Sequence, residues 1–121
     1  MNLKSKIIVI LIAMSCNMAN AQFVKKHGQL SVKGTQLVDK NQNPIVLRGV
    51  SLGWHSMWPR FYNQKTVAWL KKDFNSTVVR AALGIEIGEH HYIKEPQFSK
   101  EKIEAVIKGA IKSDIYVIVD W

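Results

Sequence analysis

A guanidinium inside an otherwise apolar run is the group in this sequence most able to do chemistry. Arg80 lies within Thr77-Val78-Val79-Arg80-Ala81-Ala82-Leu83, where stripping water from its charge is costly unless carboxylates or carbonyls receive it. Two roles fit. Arg80 is either a structural ion-pair partner in the core, or an arginine that holds a catalytic carboxylate ionised and oriented by proximity. Trp54, His55 and Trp58 follow an earlier apolar run, and Asp120-Trp121 closes a later one. Indole faces stack on the axial C–H faces of pyranose rings, both being flat, apolar and rimmed by polar groups. Trp54, Trp58 and Trp121 could form such a platform, or could simply close the top of a core. His55 could bond a sugar hydroxyl, or could be an ordinary, partly buried histidine.

Other combinations carry less. Glu86 and Glu89 are the only close carboxylate pair in a loop near these groups, but their spacing says little about geometry, and they are not expected to be the acid and nucleophile of a glycosidase. His90-His91 has no Cys or His partner at metal-ligand spacing, so neither a metal nor another cofactor is expected. Asn75-Ser76-Thr77 is formally a glycosylation sequon that abuts a strand and is read as coincidence.

These groups must be positioned by the elements between them. Residues 29–32 and 36–38 alternate as short strands about Lys33-Gly34-Thr35, a tight turn in which Gly34 can take positive φ. Residues 39–44 form a second turn, rich in side chains that bond their own backbone. A hairpin laid across one end of the main fold results. The period then changes. Strands are expected at 44–51, 77–83 and 115–121, separated by helices. Asn63 caps a helix over 64–74, and Ser99 is expected to cap a second, with Glu101 in its first turn. Ile103, Val106, Ile107, Ala110 and Ile111 make one apolar stripe on that second helix. The last two strands are near-continuous apolar runs, as in parallel strands covered on both faces. A βαβαβ order leaves a doubly wound sheet or the first part of a (β/α)8 barrel open. No Gly-x-Gly-x-x-Gly or Walker loop follows the first strand, which disfavours nucleotide binding. In either architecture chemistry is built where the strands' carboxyl ends open, which is where Trp54, Arg80 and Asp120-Trp121 fall.

Composition bounds the rest. A 121-residue chain with 47% hydrophobic and 9% aromatic residues is ordinary globular material, not a disordered or fibrous one. Residues 1–21 read as a secretory signal peptide: Lys4 and Lys6 before an apolar stretch at 7–14, then Ala19-Asn20-Ala21 before the cut. That stretch is too short to span a bilayer, so no integral membrane segment is expected in the mature chain. Cleavage at Cys16 with lipidation is the weaker alternative, since Ala13-Met14-Ser15 lacks the usual upstream leucine. Cleavage after Ala21 removes the only cysteine, and no disulfide then staples the chain. It also removes two lysines, lowering the formal charge from +8 to +6. The remaining lysines are scattered over helix faces without a nucleic-acid motif, so no nucleic-acid partner is expected.

The ordered set His27-Gly28-Gln29-Leu30, Asn43-Pro44, Leu47-Arg48-Gly49-Val50-Ser51, Gly53-Trp54-His55, Val79-Arg80-Ala81-Ala82 and Tyr116-Val117-Ile118-Val119-Asp120-Trp121 resembles the amino-terminal third of family 5 glycoside hydrolases. More narrowly it resembles secreted bacterial endo-β-1,4-glucanases of that family. The resemblance covers essentially all of residues 22–121. It implies the amino-terminal part, about three strands plus the hairpin, of a (β/α)8 barrel, and a monomeric, secreted enzyme acting on a β-glucan by a retaining two-glutamate mechanism. It implies that Arg80 contacts the nucleophilic glutamate, and on their own chemistry Trp54, His55, Trp58 and Trp121 are expected to meet substrate. Asp120-Trp121 matches the dipeptide before a family histidine. The sequence departs from some members at Gly84, where they carry a substrate-contacting tyrosine, and within 53–58, where aromatic and histidine positions do not align uniquely.

Neither glutamate of the family's pair occurs among these 121 residues. A retaining glycosidase needs two carboxyls about 5 Å apart, so residues 22–121 are expected to be a truncated barrel portion, inactive and poorly folded alone. A β-mannanase on the same barrel, or a non-catalytic carbohydrate-binding or surface protein derived from it, are the rival readings.

Overall fold

Two amphipathic helices and three apolar strands supply the core, as the change of period near residue 44 requires. The computed structural model describes residues 22–121. The signal peptide expected at 1–21 and the alternative cut at Cys16 therefore lie outside the described residues. The elements are α1 (Phe23–His27), β1 (Ser31–Lys33), β2 (Gln36–Val38), β3 (Gly49–Trp54), a 3-10 turn (Pro59–Phe61), α2 (Gln64–Phe74), β4 (Val78–Ala82), α3 (Pro96–Ser113) and β5 (Tyr116–Asp120).

β1 and β2 form the antiparallel hairpin, with Gly34 at φ +60° in its turn. β3, β4 and β5 form a separate parallel sheet in that order. Its register sets Ser51 beside Arg80, Arg80 beside Ile118, and Ala82 beside Asp120. Successive strand residues face opposite ways. Leu52, Val79 and Ala81 thus turn to one face, where they pack with Val67 and Leu70 of α2 and Ile103, Val106 and Ala110 of α3. Val67, Val79 and Val106 are wholly buried, each worth about 1.5–3 kcal/mol over an exposed side chain. Ser51, Arg80, Ile118 and Asp120 turn to the other face.

Two glycines are needed because backbone passes too close for a side chain. A Cβ on Gly49 would sit 1.7 Å from the Val78 carbonyl oxygen, and one on Gly109 would meet Gln64 and Val67 at 3.0–3.1 Å where the helices cross. α2 begins as expected. The Asn63 side chain accepts the Thr66 N–H at 2.9 Å, satisfying an otherwise orphaned donor.

Four expectations need correction. The first strand runs 49–54, not 44–51. Pro44 bridges to Val38 and the Ile45 N–H donates to Leu37, so this stretch belongs to the hairpin. α3 starts at Pro96, one turn before the expected cap, and Glu101 lies beyond its first turn. Proline is preorganised for a first helical position, and Ser99 is an internal residue whose hydroxyl bonds back to the Glu95 carbonyl. Ile111, on the apolar stripe, is 73% exposed. α1 was not foreseen. It is held by distant contacts: the Val24 N–H donates to Asp114, Phe23 meets Tyr116 edge-on, and the Tyr116 hydroxyl donates to the Gly28 carbonyl. These contacts place α1 at the strands' amino ends, away from the groups that could do chemistry. No helix among the described residues is long and apolar enough to cross a membrane.

Candidate functional site

The carboxyl ends of the three strands gather the polar groups. Arg80 projects from β4 on the face away from the helices and reaches two residues further along β5 than its register partner, Ile118. Its Nη2 and Nε donate to the same Asp120 oxygen at 2.6 and 3.2 Å, and its Nη1 donates to the Ser51 hydroxyl at 3.0 Å. Three strands therefore fix one guanidinium, and N–H groups on Nη1 and Nη2 remain for a further acceptor. Pairing with Asp120 holds Arg80 protonated even more firmly than usual. The second Asp120 carboxylate oxygen is buried without a hydrogen-bond partner among the described residues. Its backbone is pinned, because the Leu83 N–H donates to the Asp120 carbonyl at 2.7 Å.

Beside this pair a cleft of about 260 Å³ opens among Trp54, Leu83, Gly84, Glu86 and Trp121. Trp54 is 41% exposed and Trp121 is 84% exposed, so both indoles present faces to solvent. Trp58 is not with them. It lines a second cleft of about 410 Å³ along β3, with Phe61 and Trp69, and the Arg60 guanidinium lies over its ring and that of Phe61. A further cleft, of about 720 Å³, lies between α2 and α3. Its walls carry amides, lysines and small residues but no carboxylate or histidine, so it offers nothing for bond cleavage.

His55 is placed otherwise than expected. It is wholly buried, and both ring nitrogens are engaged. Nδ1 accepts the Gly84 N–H at 3.1 Å, which leaves the proton on Nε2, shared between the Ser99 hydroxyl at 2.8 Å and the His90 carbonyl at 3.1 Å. Burial pushes its pKa below the ordinary value. The expectation that His55 meets substrate is therefore corrected. Its ring has no open edge, and it anchors the loop after β4 instead. His90 and His91 serve the same loop: His90 pairs with Glu95 at 2.9 Å, and His91 donates to the Ile85 carbonyl at 3.1 Å.

Gly84 is fixed by the same anchor. A Cβ there would come within 2.2 Å of Ser56 Oγ. Ser56 is itself buried and its hydroxyl finds no partner among the described residues. Beneath the site, the Tyr62 hydroxyl reaches the carbonyls of Gly53 and Ala82 and so ties the ends of β3 and β4 together. Sequence reasoning missed Asp120 as the partner of Arg80, and missed Ser51 and Tyr62. The available signal was the strand register, which would have set Ser51, Arg80 and Asp120 on one face.

A model of the cellulase family, glycosyl hydrolase family 5, matches residues 38–121. The chain belongs to glycosyl hydrolase family 5. An endoglucanase of Clostridium saccharobutylicum is 38% identical over 94 residues, which are 78% of this chain and 20% of that protein. Endoglucanase Z of Dickeya dadantii is 38% identical over 95 residues, 76% of this chain and 22% of its own. Among solved structures, a protein from Cytophaga hutchinsonii is 41% identical and superposes with a TM-score of 0.77. The catalytic domain of Thermobifida fusca endoglucanase Cel5A is 29% identical with a TM-score of 0.73, and a variant of it has been solved with cellotetraose. Each superposition covers 82% of this chain and 32% of the solved one. The family 5 chain thus spans about a fifth of the curated relatives it matches and a third of these solved structures.

Proposed function

We propose that this family 5 chain is the amino-terminal part of a secreted, monomeric endo-β-1,4-glucanase, the first three strands of a (β/α)8 barrel. The observation that carries this reading is Arg80, clamped by Asp120 and Ser51 at the open strand ends, next to two exposed indoles. A guanidinium with three N–H groups already committed has little freedom to turn, so its remaining donors aim at one place. A carboxylate brought there is held ionised, because the neighbouring cation favours its charged form. An ionised, oriented carboxylate is what a retaining glycosidase needs in its nucleophile, with a second glutamate protonating the leaving oxygen. Both glutamates come from strands outside these 121 residues. Trp54 and Trp121 supply stacking surface for the glucan, and His55 and Tyr62 hold the loop and strand ends that carry the site. The leader at 1–21 supports secretion.

The test is expression of the complete reading frame that contains this sequence, with hydrolysis measured on β-1,4-glucan and β-1,4-mannan and the product anomer read by proton NMR. Hydrolysis of glucan over mannan with the β-anomer formed first is expected. Inverted product or a preference for mannan would overturn the reading. Residues 22–121 alone are expected to release no sugar.

A further inference from the structure

We infer that Glu86 is a substrate-recognition residue, its carboxylate accepting hydrogen bonds from neighbouring hydroxyls of a neutral glucan ring stacked on Trp54 or Trp121. This rests on the glucanase reading and names what that cleft selects. Carboxylates bind sugars well because two oxygens can take two adjacent ring hydroxyls at once, while an indole takes the apolar face of the same ring. Glu86 lines the 260 Å³ cleft with both tryptophans, a volume just under the about 300–1,000 Å³ of small-molecule pockets and suited to a single ring.

Two further observations single it out. Of the other glutamates on this loop, Glu95 is paired with His90, and Glu89, whose carboxylate also has no partner among the described residues, lies outside the cleft lining. No donor engages the Glu86 carboxylate among the described residues. The backbone immediately before it is nevertheless held. The Gly84 carbonyl accepts the Tyr92 N–H at 2.8 Å, the Ile85 carbonyl accepts the Ile93 N–H at 3.2 Å, and Gly84 donates to buried His55. An unengaged carboxylate on a pinned turn is preorganised for a ligand. Its charge also has a consequence for specificity: a glucan bearing anionic substituents is repelled from this ring position, and a neutral one is not.

Glu86 is exposed, so its replacement leaves the core intact. The experiment uses the complete protein and its Glu86→Ala, Glu86→Gln and Glu89→Gln variants, with hydroxyethylcellulose as the neutral polymer and carboxymethylcellulose as the anionic one. For Glu86→Ala, KM on the neutral polymer should rise about three- to tenfold with kcat within about twofold, as for loss of a ground-state contact. For Glu86→Gln, the ratio of kcat/KM on the anionic polymer to that on the neutral one should rise about threefold or more. Glu89→Gln, on the same loop but outside the cleft, should match the parent. If both Glu86 variants keep the parent's KM and substrate ratio, the proposal is wrong. It is also wrong if kcat falls while KM holds. A parent protein that cleaves neither polymer removes the glucanase reading itself, and the proposal with it.

Discussion

Arg80 and Asp120 meet diagonally across β4 and β5, with one Asp120 oxygen taking two guanidinium N–H groups at 2.6 and 3.2 Å. The diagonal matters because Asp120 lies two residues beyond Ile118, the residue opposite Arg80. The arginine is thereby drawn toward the strands' carboxyl ends, where the clefts are. Ser51 takes a further N–H of the same guanidinium at 3.0 Å, so the pair is held in one orientation by three strands. Its value lies in direction.

Asp120→Asn should therefore reduce catalysis more than it reduces stability. The amide still reaches Arg80 but no longer offers a charged acceptor. We expect kcat of the complete enzyme to fall on the order of tenfold, with the thermal midpoint almost unchanged. Arg80→Lys should be worse, since a single ammonium cannot bond both Asp120 and Ser51 in the same geometry. Steady-state kinetics beside thermal melts separate the two effects. A large loss of midpoint with intact kcat would return Arg80 to the role of structural ion pair.

Gly84 and Ser56 should behave as a coupled pair. Gly84→Ala places a methyl 2.2 Å from Ser56 Oγ, an overlap expected to destabilise by about 1–3 kcal/mol. Removing the obstacle with Ser56→Gly should recover most of that loss, so the double variant is more stable than the sum of the singles predicts. Chemical denaturation of the four proteins gives the coupling directly, and additive losses would mean the clash is relieved elsewhere. The same overlap explains why a tyrosine cannot stand at Gly84 while Ser56 fills the space.

His55 should make stability fall in mild acid. Its ring is neutral in the fold, accepting from Gly84 and donating from Nε2. Burial lowers its pKa from the ordinary 6.5, and the nearby charges of His90 and Lys102 act in the same direction. Below that value the unfolded chain binds a proton that the folded ring resists. The contribution is thus complete above about pH 6.5 and shrinks as pH falls through it. Melting curves from about pH 7.5 to 5.5 should slope downward, and His55→Gln should flatten the slope whatever it does to the midpoint. Asp39, whose pKa is lowered by its bond to His27, acts in a separate and more acidic window, below 3.8.

Tyr62 sets the opposite limit. Burial pushes its hydroxyl up to about 12 from an ordinary 10.0. The folded hydroxyl keeps its proton while the unfolded one loses it, so stability is lost as pH rises from about 10 toward 12. Tyr62→Phe should cost about 1 kcal/mol near neutrality and remove that alkaline loss. Equal alkaline loss in both proteins would assign it to lysines.

Much of the scaffold was legible because it follows from periodicity and caps. Helix 64–74 starts at Asn63 as its cap predicts, and β4 and β5 lie within the two apolar runs expected to form them. What was not legible depended on distant partners. The first strand begins late because Pro44 and Ile45 pair with the hairpin, and α1, at five residues, is too short to show a period. At the site, Arg80 was conspicuous as a charge in an apolar run. Asp120 was noted only as a polar strand end, and its pairing with Arg80 needed the register. His55 had two open readings, and only the fold reveals its partners, Gly84 and His90 from the loop after β4 and Ser99 from α3. Trp58 stood close to Trp54 in sequence, yet the turn at 59–61 takes it to the β3 cleft.

The most direct test of the account is the pH dependence of kcat/KM for the complete enzyme and its Arg80→Gln variant. If Arg80 holds the nucleophilic carboxylate ionised, removing its charge raises that carboxylate's pKa and moves the acidic limb about one unit or more toward higher pH, with a lower plateau. An acidic limb and plateau that match the parent would contradict the claim that these strand ends belong to the catalytic site.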